Sequence, residues 1–171
     1  MITLCDTGPL VGYLNRNDPD HEWAVRLMKT VRPPMLTSEA VLTETMYFLR
    51  QDKLDVEPLF QLLERGLLAI DFELANHWRR VRTLMARYRR MDLADATIVV
   101  LSEMHRQCQV LTIDRDDFAT YRRNDRQVID FVRRQDADQP RHSSIRLAIR
   151  AVHPVWCEAP RPSPLSPWKY S

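Results

Sequence analysis

The sequence is short of the residues from which disulfide frameworks, phosphate loops and membrane spans are built. Its three cysteines (Cys5, Cys108 and Cys157) are odd in number and unclustered, which excludes a disulfide framework and a four-cysteine metal site. Three glycines are too few for a glycine-rich phosphate loop. No apolar run approaches the ~20 residues of a membrane span, and the N-terminal segment lacks the features of a signal peptide. These absences predict a cytoplasmic protein that does not enter the membrane.

Neither sign of charge is in clear excess. The 25 lysines and arginines nearly balance the 23 aspartates and glutamates, which gives a net charge of +2. Arginine nevertheless outnumbers lysine 22 to 3 and is concentrated in residues 79–90 and 122–126. Guanidinium groups suit phosphate recognition, so an RNA- or DNA-binding face is one interpretation and an ordinary solvated helix face is the other. In the first interpretation, the RNA-binding residues are Arg79, Arg82, Arg87 and Arg90.

The composition changes near residue 135. A chain of 171 residues has room for one domain, and 44% hydrophobic residues are enough to give it a core. Six of the eleven prolines lie in residues 136–171, and the final stretch APRPSPLSPWKYS can form neither a helix nor a central strand. We therefore predict one domain over residues 1–135 and a proline-rich, largely disordered tail over 136–171. Within that tail, residues 143–153 are ambiguous between helix and strand.

Segments with the strand pattern and segments with the helix pattern alternate through the first 135 residues. The predicted strands are residues 2–5, 35–37, 67–72, 109–114 and 127–131. The predicted helices are residues 20–31, 38–50, 55–66, 73–89, 92–105 and 115–123. Pro33 and Pro34 end the first of these helices, and Ser38 is a typical N-cap for the second. This alternation, with short connections, predicts an α/β fold whose sheet of about five strands is mostly parallel.

Two aspartates directly follow apolar strands. Asp6 ends the first predicted strand, and Asp114 ends the fourth. In open parallel sheets, ligands bind beyond the carboxyl ends of the strands, where the strand order reverses. Asp6 and Asp114 are therefore candidates for one cleft. The alternative is that each aspartate only caps the helix that follows it.

A third aspartate lies in a helix that should be buried. Residues 91–104 are largely apolar, and Asp92 and Asp95 share one face of the first turn. Asp92 is explained as the N-cap, whereas Asp95 lies inside a turn that packs against the core. A buried carboxylate is destabilising unless it is paired or neutralised, and no lysine or arginine lies one turn along the helix. A metal ion would satisfy Asp95.

The spacing defines a fourth acid less clearly. Glu44 lies in the second turn of the helix that Ser38 begins, at the edge of its apolar arc, and Glu39 in the first turn competes with it. Carboxylates that converge without histidine or cysteine favour Mg²⁺ or Mn²⁺. The chemistry that needs such a site is phosphoryl transfer, in which the ion lowers the pKa of a bound water and neutralises charge on the phosphate. The number of ions stays open.

Four segments of the chain resemble, in order, the four acidic motifs of PIN-domain ribonucleases. These segments are DTGPLVGYLNRNDPDH, TSEAVLTETMYFLR, MDLADATIVV and VLTIDRDDF. The resemblance is closest to the VapC-type toxins of bacterial toxin–antitoxin pairs and covers about residues 1–133. It implies a three-layer α/β/α sandwich and a metal-dependent endoribonuclease that leaves 5′-phosphate and 3′-hydroxyl ends. It also implies a homodimer and a partner antitoxin whose peptide fills the active cleft.

The resemblance assigns roles to individual residues. The family's four acids correspond to Asp6, Glu44, Asp95 and Asp114. Asp6 and Asp95 would be the principal Mg²⁺ ligands. Glu44 and Asp114 would complete the site through water or a second ion. The residues that would support these ligands from outside are Thr7, Asp92, Thr112 and Asp116.

Other interpretations share some of these features. A receiver domain also gathers aspartates at strand ends, but it needs a lysine after the last strand, and lysines occur only at positions 29, 53 and 169. An aspartyl phosphatase needs Asp-x-Asp after its first strand, where this chain has Asp6-Thr7-Gly8. A PIN-like fold kept as an inert RNA- or protein-binding module would usually lose acids, and this chain keeps all four. DNA as the substrate is a further alternative.

Overall fold

Strands and helices alternate along the chain, as the sequence pattern predicts. The structure, a computed structural model, describes residues 1–132. In chain order its elements are β1 (Ile2–Cys5), α1 (Thr7–Leu14), α2 (His21–Met28), β2 (Met35–Thr37), α3 (Glu39–Gln51), α4 (Glu57–Glu64), β3 (Leu68–Ile70), α5 (Leu74–Arg87), α6 (Leu93–Met104), β4 (Cys108–Leu111), α7 (Arg115–Thr120), β5 (Arg122–Arg123), β6 (Gln127–Val128) and β7 (Phe131–Val132). None of these helices is long and apolar enough to cross a bilayer. The predicted boundary near residue 135, the tail over 136–171 and its ambiguous residues 143–153 lie outside the described residues.

Five strands form one parallel sheet in the order β3-β2-β1-β4-β7. The central pair is in register from Ile2 opposite Cys108 to Cys5 opposite Leu111. From β1 the chain adds β2 and β3 on one side and then returns to place β4 and β7 on the other. The strand order therefore reverses between β1 and β4. A ligand crevice is expected beyond the carboxyl ends of these two strands.

Both faces of the sheet are covered. Successive side chains of a strand point to opposite faces, yet Leu4 and Cys5 in β1 are both fully buried, as are Val110 and Leu111 in β4. The helix α6 is itself buried along most of its length, as its apolar sequence predicts. The predicted α/β fold, a three-layer α/β/α sandwich around a parallel sheet, is confirmed.

The last predicted strand is wrong. Residues 127–131 are divided between β6, which pairs antiparallel with β5, and β7, which pairs parallel with β4. Asn124 and Asp125 have φ values of 49° and 65°, the left-handed conformation that tight hairpin turns use. The chain thus reverses once before it reaches the main sheet. The preceding helix consequently ends at Thr120 rather than near residue 123.

Ion pairs centred on Arg80 hold the β5–β6 hairpin against α5 and α6. The Arg80 guanidinium lies 2.7 Å from the Glu103 carboxylate and 3.0 Å from that of Asp125. The backbone N–H of Asn124 also donates to Glu103, at 2.7 Å. The hydrogen bond to Glu103 is the main cause that raises the pKa of Arg80 above its ordinary value. Because Tyr121 immediately precedes β5, the same contacts help to fix where Tyr121 lies.

A glycine allows α1 to approach the end of β4. Gly8 lies in the first turn of α1, and a Cβ atom at this position would overlap the side chain of Ile113. Ile113 is two residues beyond β4. Any larger residue at position 8 would therefore push apart the two chain segments that follow β1 and β4.

We predict that Gly8→Ala lowers the free energy of unfolding by about 1–3 kcal/mol, as over-packing of a close contact does. Gly12→Ala is the matched control, because its Cβ would lie 3.3 Å from that of Ala24, a contact that a small shift relieves. Chemical denaturation of both variants and the wild type measures the difference. Equal stability of Gly8→Ala and the wild type would show that Ile113 moves aside freely.

Candidate active site

Asp6 lies where the strand order reverses. It directly follows β1 and is buried, with 6% of its surface exposed. Its side chain makes no capping hydrogen bond to α1. Instead, its Oδ2 accepts a hydrogen bond from the Thr112 hydroxyl at 2.8 Å. Thr112 directly follows β4, so this bond joins the carboxyl ends of the two strands that flank the reversal.

Asp114 lies in the loop between β4 and α7. Its backbone N–H donates to the Thr112 hydroxyl at 3.0 Å, and its Oδ1 accepts from the backbone N–H of Asp117 at 3.2 Å. Because β4 ends at Leu111, Asp114 stands beyond the strand and not at its end as predicted. Its side chain caps α7, and its charge also acts on Asp95. The capping alternative therefore holds for Asp114, which is at the same time part of the acidic surroundings of the cleft.

Glu44 reaches the same region from the second turn of α3. The Thr7 hydroxyl donates a hydrogen bond to its Oε2 at 2.6 Å. The start of α3 is fixed by Ser38, whose hydroxyl caps the helix and lies 2.6 Å from the Thr97 hydroxyl of α6. Glu39, the competing acid, is exposed in the first turn. The structure thus brings Glu44, and not Glu39, to the cleft.

Asp95 lies in the first turn of α6, which Asp92 caps as predicted. The Asp92 Oδ1 accepts from the backbone N–H of Asp95 at 2.9 Å. The Asp95 carboxylate is partly buried, and its Oδ2 accepts a hydrogen bond from the Tyr121 hydroxyl at 2.9 Å. The Tyr121 ring packs edge-on against Tyr88 and Phe118, which hold it in place. Tyr121 therefore orients Asp95 as Thr112 orients Asp6.

The acids of the cleft raise one another's pKa values. Burial is the largest cause for Asp6 and raises its pKa to about 6, and the charges of Glu44 and Asp92 add to the rise. Burial is also the largest cause for Asp95, whose pKa rises to about 7. Repulsion from Asp6, Asp92 and Asp114 adds to that rise. The pKa of Glu44 is raised as well, first by burial and then by Asp92.

The chemistry of this donor set fits a hard divalent cation. The clustered side chains offer carboxylate oxygens without histidine or cysteine, as Mg²⁺ and Mn²⁺ prefer. No basic side chain of residues 1–132 contributes to the raised pKa values of Asp6, Glu44 or Asp95, so a bound cation would relieve their repulsion. Within the same residues, no three Asp, Glu, His or Cys side chains converge closely enough to form a metal site. The carboxylates of Asp6 and Asp95 would have to draw together around an ion.

Most of the residues predicted from the sequence lie together in this cleft. They are Asp6, Thr7, Glu44, Asp92, Asp95, Thr112 and Asp114. Asp116 lies apart, exposed on α7, where its charge acts on the neighbouring Asp117. Its role in supporting the ligands therefore stays a prediction without a contact behind it. The sequence reasoning missed Tyr121, which lies 26 residues from its partner and belongs to none of the acidic motifs.

The arginines predicted to bind RNA fall into two pairs. Arg79 and Arg82 lie against the ring of Trp78 on α5, with guanidinium carbons 4.7 and 5.5 Å from the ring centre. Trp78 is 43% exposed. No ion pair joins Arg79 or Arg82 to an acid among the described residues. These two guanidinium groups are available to phosphates.

The other two predicted arginines are engaged with acids. Arg87 lies 3.1 Å from Asp125, and Arg90 lies 3.7 Å from Asp117. Such exposed pairs contribute little to stability, about 0–1 kcal/mol each. They do, however, compete with any phosphate for the guanidinium groups. The solvated-face interpretation therefore fits Arg87 and Arg90 better than it fits Arg79 and Arg82.

Comparisons with known proteins agree with this geometry. A family model for the PIN domain matches residues 3–124 of the chain. The ribonuclease VapC26 of Mycobacterium tuberculosis (strain ATCC 25618 / H37Rv) is similar to it, with 27% identity over 125 residues. That alignment covers 70% of this chain and 91% of the relative. The segment that the family model matches contains every acid of the cleft.

The raised pKa values predict how stability depends on pH without metal. Unfolded aspartate has a pKa of about 3.9, so between pH 4 and pH 7 the folded protein binds more protons at Asp6 and Asp95 than the unfolded chain does. In chelator, the wild type should therefore lose stability as pH rises from about 5 to about 8. We predict that Asp95→Asn removes on the order of 1–3 kcal/mol of this loss and gains little from added Mg²⁺.

Melting curves at several pH values, with chelator and with Mg²⁺, measure these differences. Asp6→Asn should behave in the same way as Asp95→Asn, and Asp116→Asn is the matched control, because its exposed carboxylate lies apart from the cleft. If Asp95→Asn melts far below the wild type in chelator, Asp95 has a structural role and is not a metal ligand.

Proposed function

This chain belongs to the PIN domain family, and on that premise we propose that it is a Mg²⁺- or Mn²⁺-dependent endoribonuclease and the toxin of a toxin–antitoxin pair. The observation that carries the proposal is the pair of buried, mutually repelling aspartates, Asp6 and Asp95, at the reversal of the sheet. Such a pair destabilises the fold unless something binds it. A chain that served only as an inert binding module would gain stability by replacing either acid.

Each residue of the cleft has a distinct part in the proposed mechanism. Asp6 and Asp95 would hold the ion, with Asp114 and Glu44 beside them. When bound, the ion supplies a Lewis acid that lowers the pKa of water and offsets charge on the phosphate. Thr112 and Tyr121 keep the two principal carboxylates in fixed orientations through their hydroxyl groups.

Glu44 is suited to proton transfer. Burial moves its pKa upward, toward the pH at which the reaction runs, and a base is most effective when its pKa lies near that pH. The Thr7 hydroxyl holds one of its carboxylate oxygens at 2.6 Å. Glu44 would accept a proton from the water that attacks the phosphorus, and the products would carry 5′-phosphate and 3′-hydroxyl ends.

The partners of the proposed toxin follow from the same family. VapC26 is a ribonuclease by name, and we extend that activity to this chain with RNA as the substrate. We further propose a cytoplasmic homodimer and an antitoxin whose peptide fills the acidic cleft. A basic side chain from such a peptide would neutralise the cluster without a metal ion.

We predict that the purified full-length protein cuts RNA in millimolar Mg²⁺ or Mn²⁺ and that chelator abolishes the activity. Asp6→Asn and Asp95→Asn should each lower the rate by at least about a hundredfold, because each removes a charge that the reaction requires. Asp116→Asn serves as the control, because it removes the same charge outside the cleft. Parallel assays on single-stranded and structured RNA and on DNA separate the alternatives. Cleavage of DNA alone, or of neither substrate, would contradict the proposal.

The arginines give a second prediction. If Arg79 and Arg82 bind RNA phosphates, the double variant Arg79→Ala/Arg82→Ala should bind all RNA sequences more weakly. The slope of log affinity against log salt should become shallower by about 0.7 for each phosphate of a single strand that is no longer neutralised. The matched control is Lys29→Ala/Arg32→Ala, which removes the same charge from exposed positions near the end of α2. Equal salt slopes in the two double variants would assign Arg79 and Arg82 to a solvated face.

A further inference from the structure

A small cavity shares one wall with the acidic cleft. Its volume is about 170 Å³, and the described residues that line it are Asp20, Trp23, Thr112, Ile113 and Arg115. Thr112 is the residue whose hydroxyl donates to Asp6. A group bound in the cavity would therefore lie next to the acids. None of the other four residues takes part in the mechanism described above.

The indole of Trp23 gives this cavity an unsatisfied donor. Trp23 is 2% exposed, and its Nε1–H has no hydrogen-bond partner within the described residues. Buried polar groups nearly always have a partner, because an unmade hydrogen bond in the interior is destabilising. A buried tryptophan normally satisfies its N–H in the same way. An acceptor atom of a ligand in the cavity would supply the missing partner.

The charged residues of the lining define the chemistry of that ligand. Arg115 is exposed at the start of α7 and forms no ion pair with an acid in residues 1–132. Asp20 stands at the start of α2 and contributes a carboxylate. A ligand in contact with both must offer acceptors and donors together. A phosphate group offers acceptors only and would be repelled by Asp20.

We propose that this cavity binds one nucleobase of the substrate strand, adjacent to the scissile phosphate. The cavity has the volume of roughly five or six water molecules, which take about 30 Å³ each in the liquid, so it admits a planar ring but not a whole nucleotide. Trp23 and Arg115 donate to a carbonyl oxygen of the base, and Asp20 accepts from its N–H groups. The side chain of Ile113 supplies an apolar surface for the ring. The inference rests on the proposed action on a nucleic acid strand.

The same donors and acceptors select among the bases. Guanine and uracil each carry a carbonyl oxygen beside a ring N–H, which matches a wall with Trp23 and Arg115 on one part and Asp20 on another. Adenine has no carbonyl oxygen and leaves the indole N–H without its partner. The cavity therefore favours guanine or uracil over adenine.

Nuclear magnetic resonance of the indole N–H groups tests the site independently of catalysis. The full-length chain has four tryptophans, and the signal of Trp23 is the one that disappears in Trp23→Phe. Titration with the 5′-monophosphates of guanosine, uridine and adenosine should shift this signal with the first two and much less with the third. The exposed Trp78 provides an internal control. If no nucleotide at millimolar concentration moves the Trp23 signal, the cavity is not a base site.

Cleavage of a randomised RNA pool gives the second measurement. The wild type should prefer guanine or uracil at one fixed position beside the cut, and Arg115→Gln should weaken that preference about tenfold, the effect of one missing charged hydrogen bond. Arg115 is exposed, so this variant is expected to fold, and Arg32→Gln is the matched control with its preference intact. An unchanged preference in Arg115→Gln would overturn the inference while the nuclease activity stands. If the protein cuts no RNA, the proposed function fails and the titration still decides whether the cavity binds a base.

Discussion

The hydrogen bond from Thr112 to Asp6 connects two residues that are 106 positions apart in the chain. It can form only when β1 and β4 are paired in the register that sets Cys5 opposite Leu111. A slip of one residue would turn every side chain of the strand to the other face. The geometry of the cleft thus depends on correct pairing at the reversal of the sheet. The glycine at position 8 supports that pairing by letting α1 lie close to the segment after β4.

Neutral hydroxyl groups shape the acidic cluster without neutralising it. Thr7, Thr112 and Tyr121 each donate one hydrogen bond to a carboxylate. Such bonds orient the oxygens and partly oppose the rise in pKa, but they leave the negative charge in place. An arginine at any of these positions would stabilise the fold more and would occupy the cleft permanently. The arrangement therefore keeps a defined shape and a strong attraction for a cation at the same time.

Strong local patterns predicted much of this molecule, and contacts set by tertiary packing escaped prediction. Asp6 followed from its place after an apolar strand, and Asp95 from its place in a buried helix turn. The choice of Glu44 over Glu39 came from family resemblance, because spacing along α3 does not fix the rotation of the helix against its neighbours. Tyr121 reaches Asp95 across a hairpin whose turn residues break no apolar pattern. The same hairpin made residues 127–131 look like one strand.

The position of Tyr121 has a consequence for the protein during its synthesis. Asp95 acquires its orienting hydroxyl only after residue 121 has been made, and the hairpin that follows is secured by Asp125 against Arg80. A nascent chain that has just emerged as far as β4 already carries Asp6, Glu44 and Asp95 but lacks this contact. The cleft is thus completed by some of the last described residues to be translated. An unfinished chain on the ribosome would present the acids in an unassembled state, among the RNA molecules that surround it.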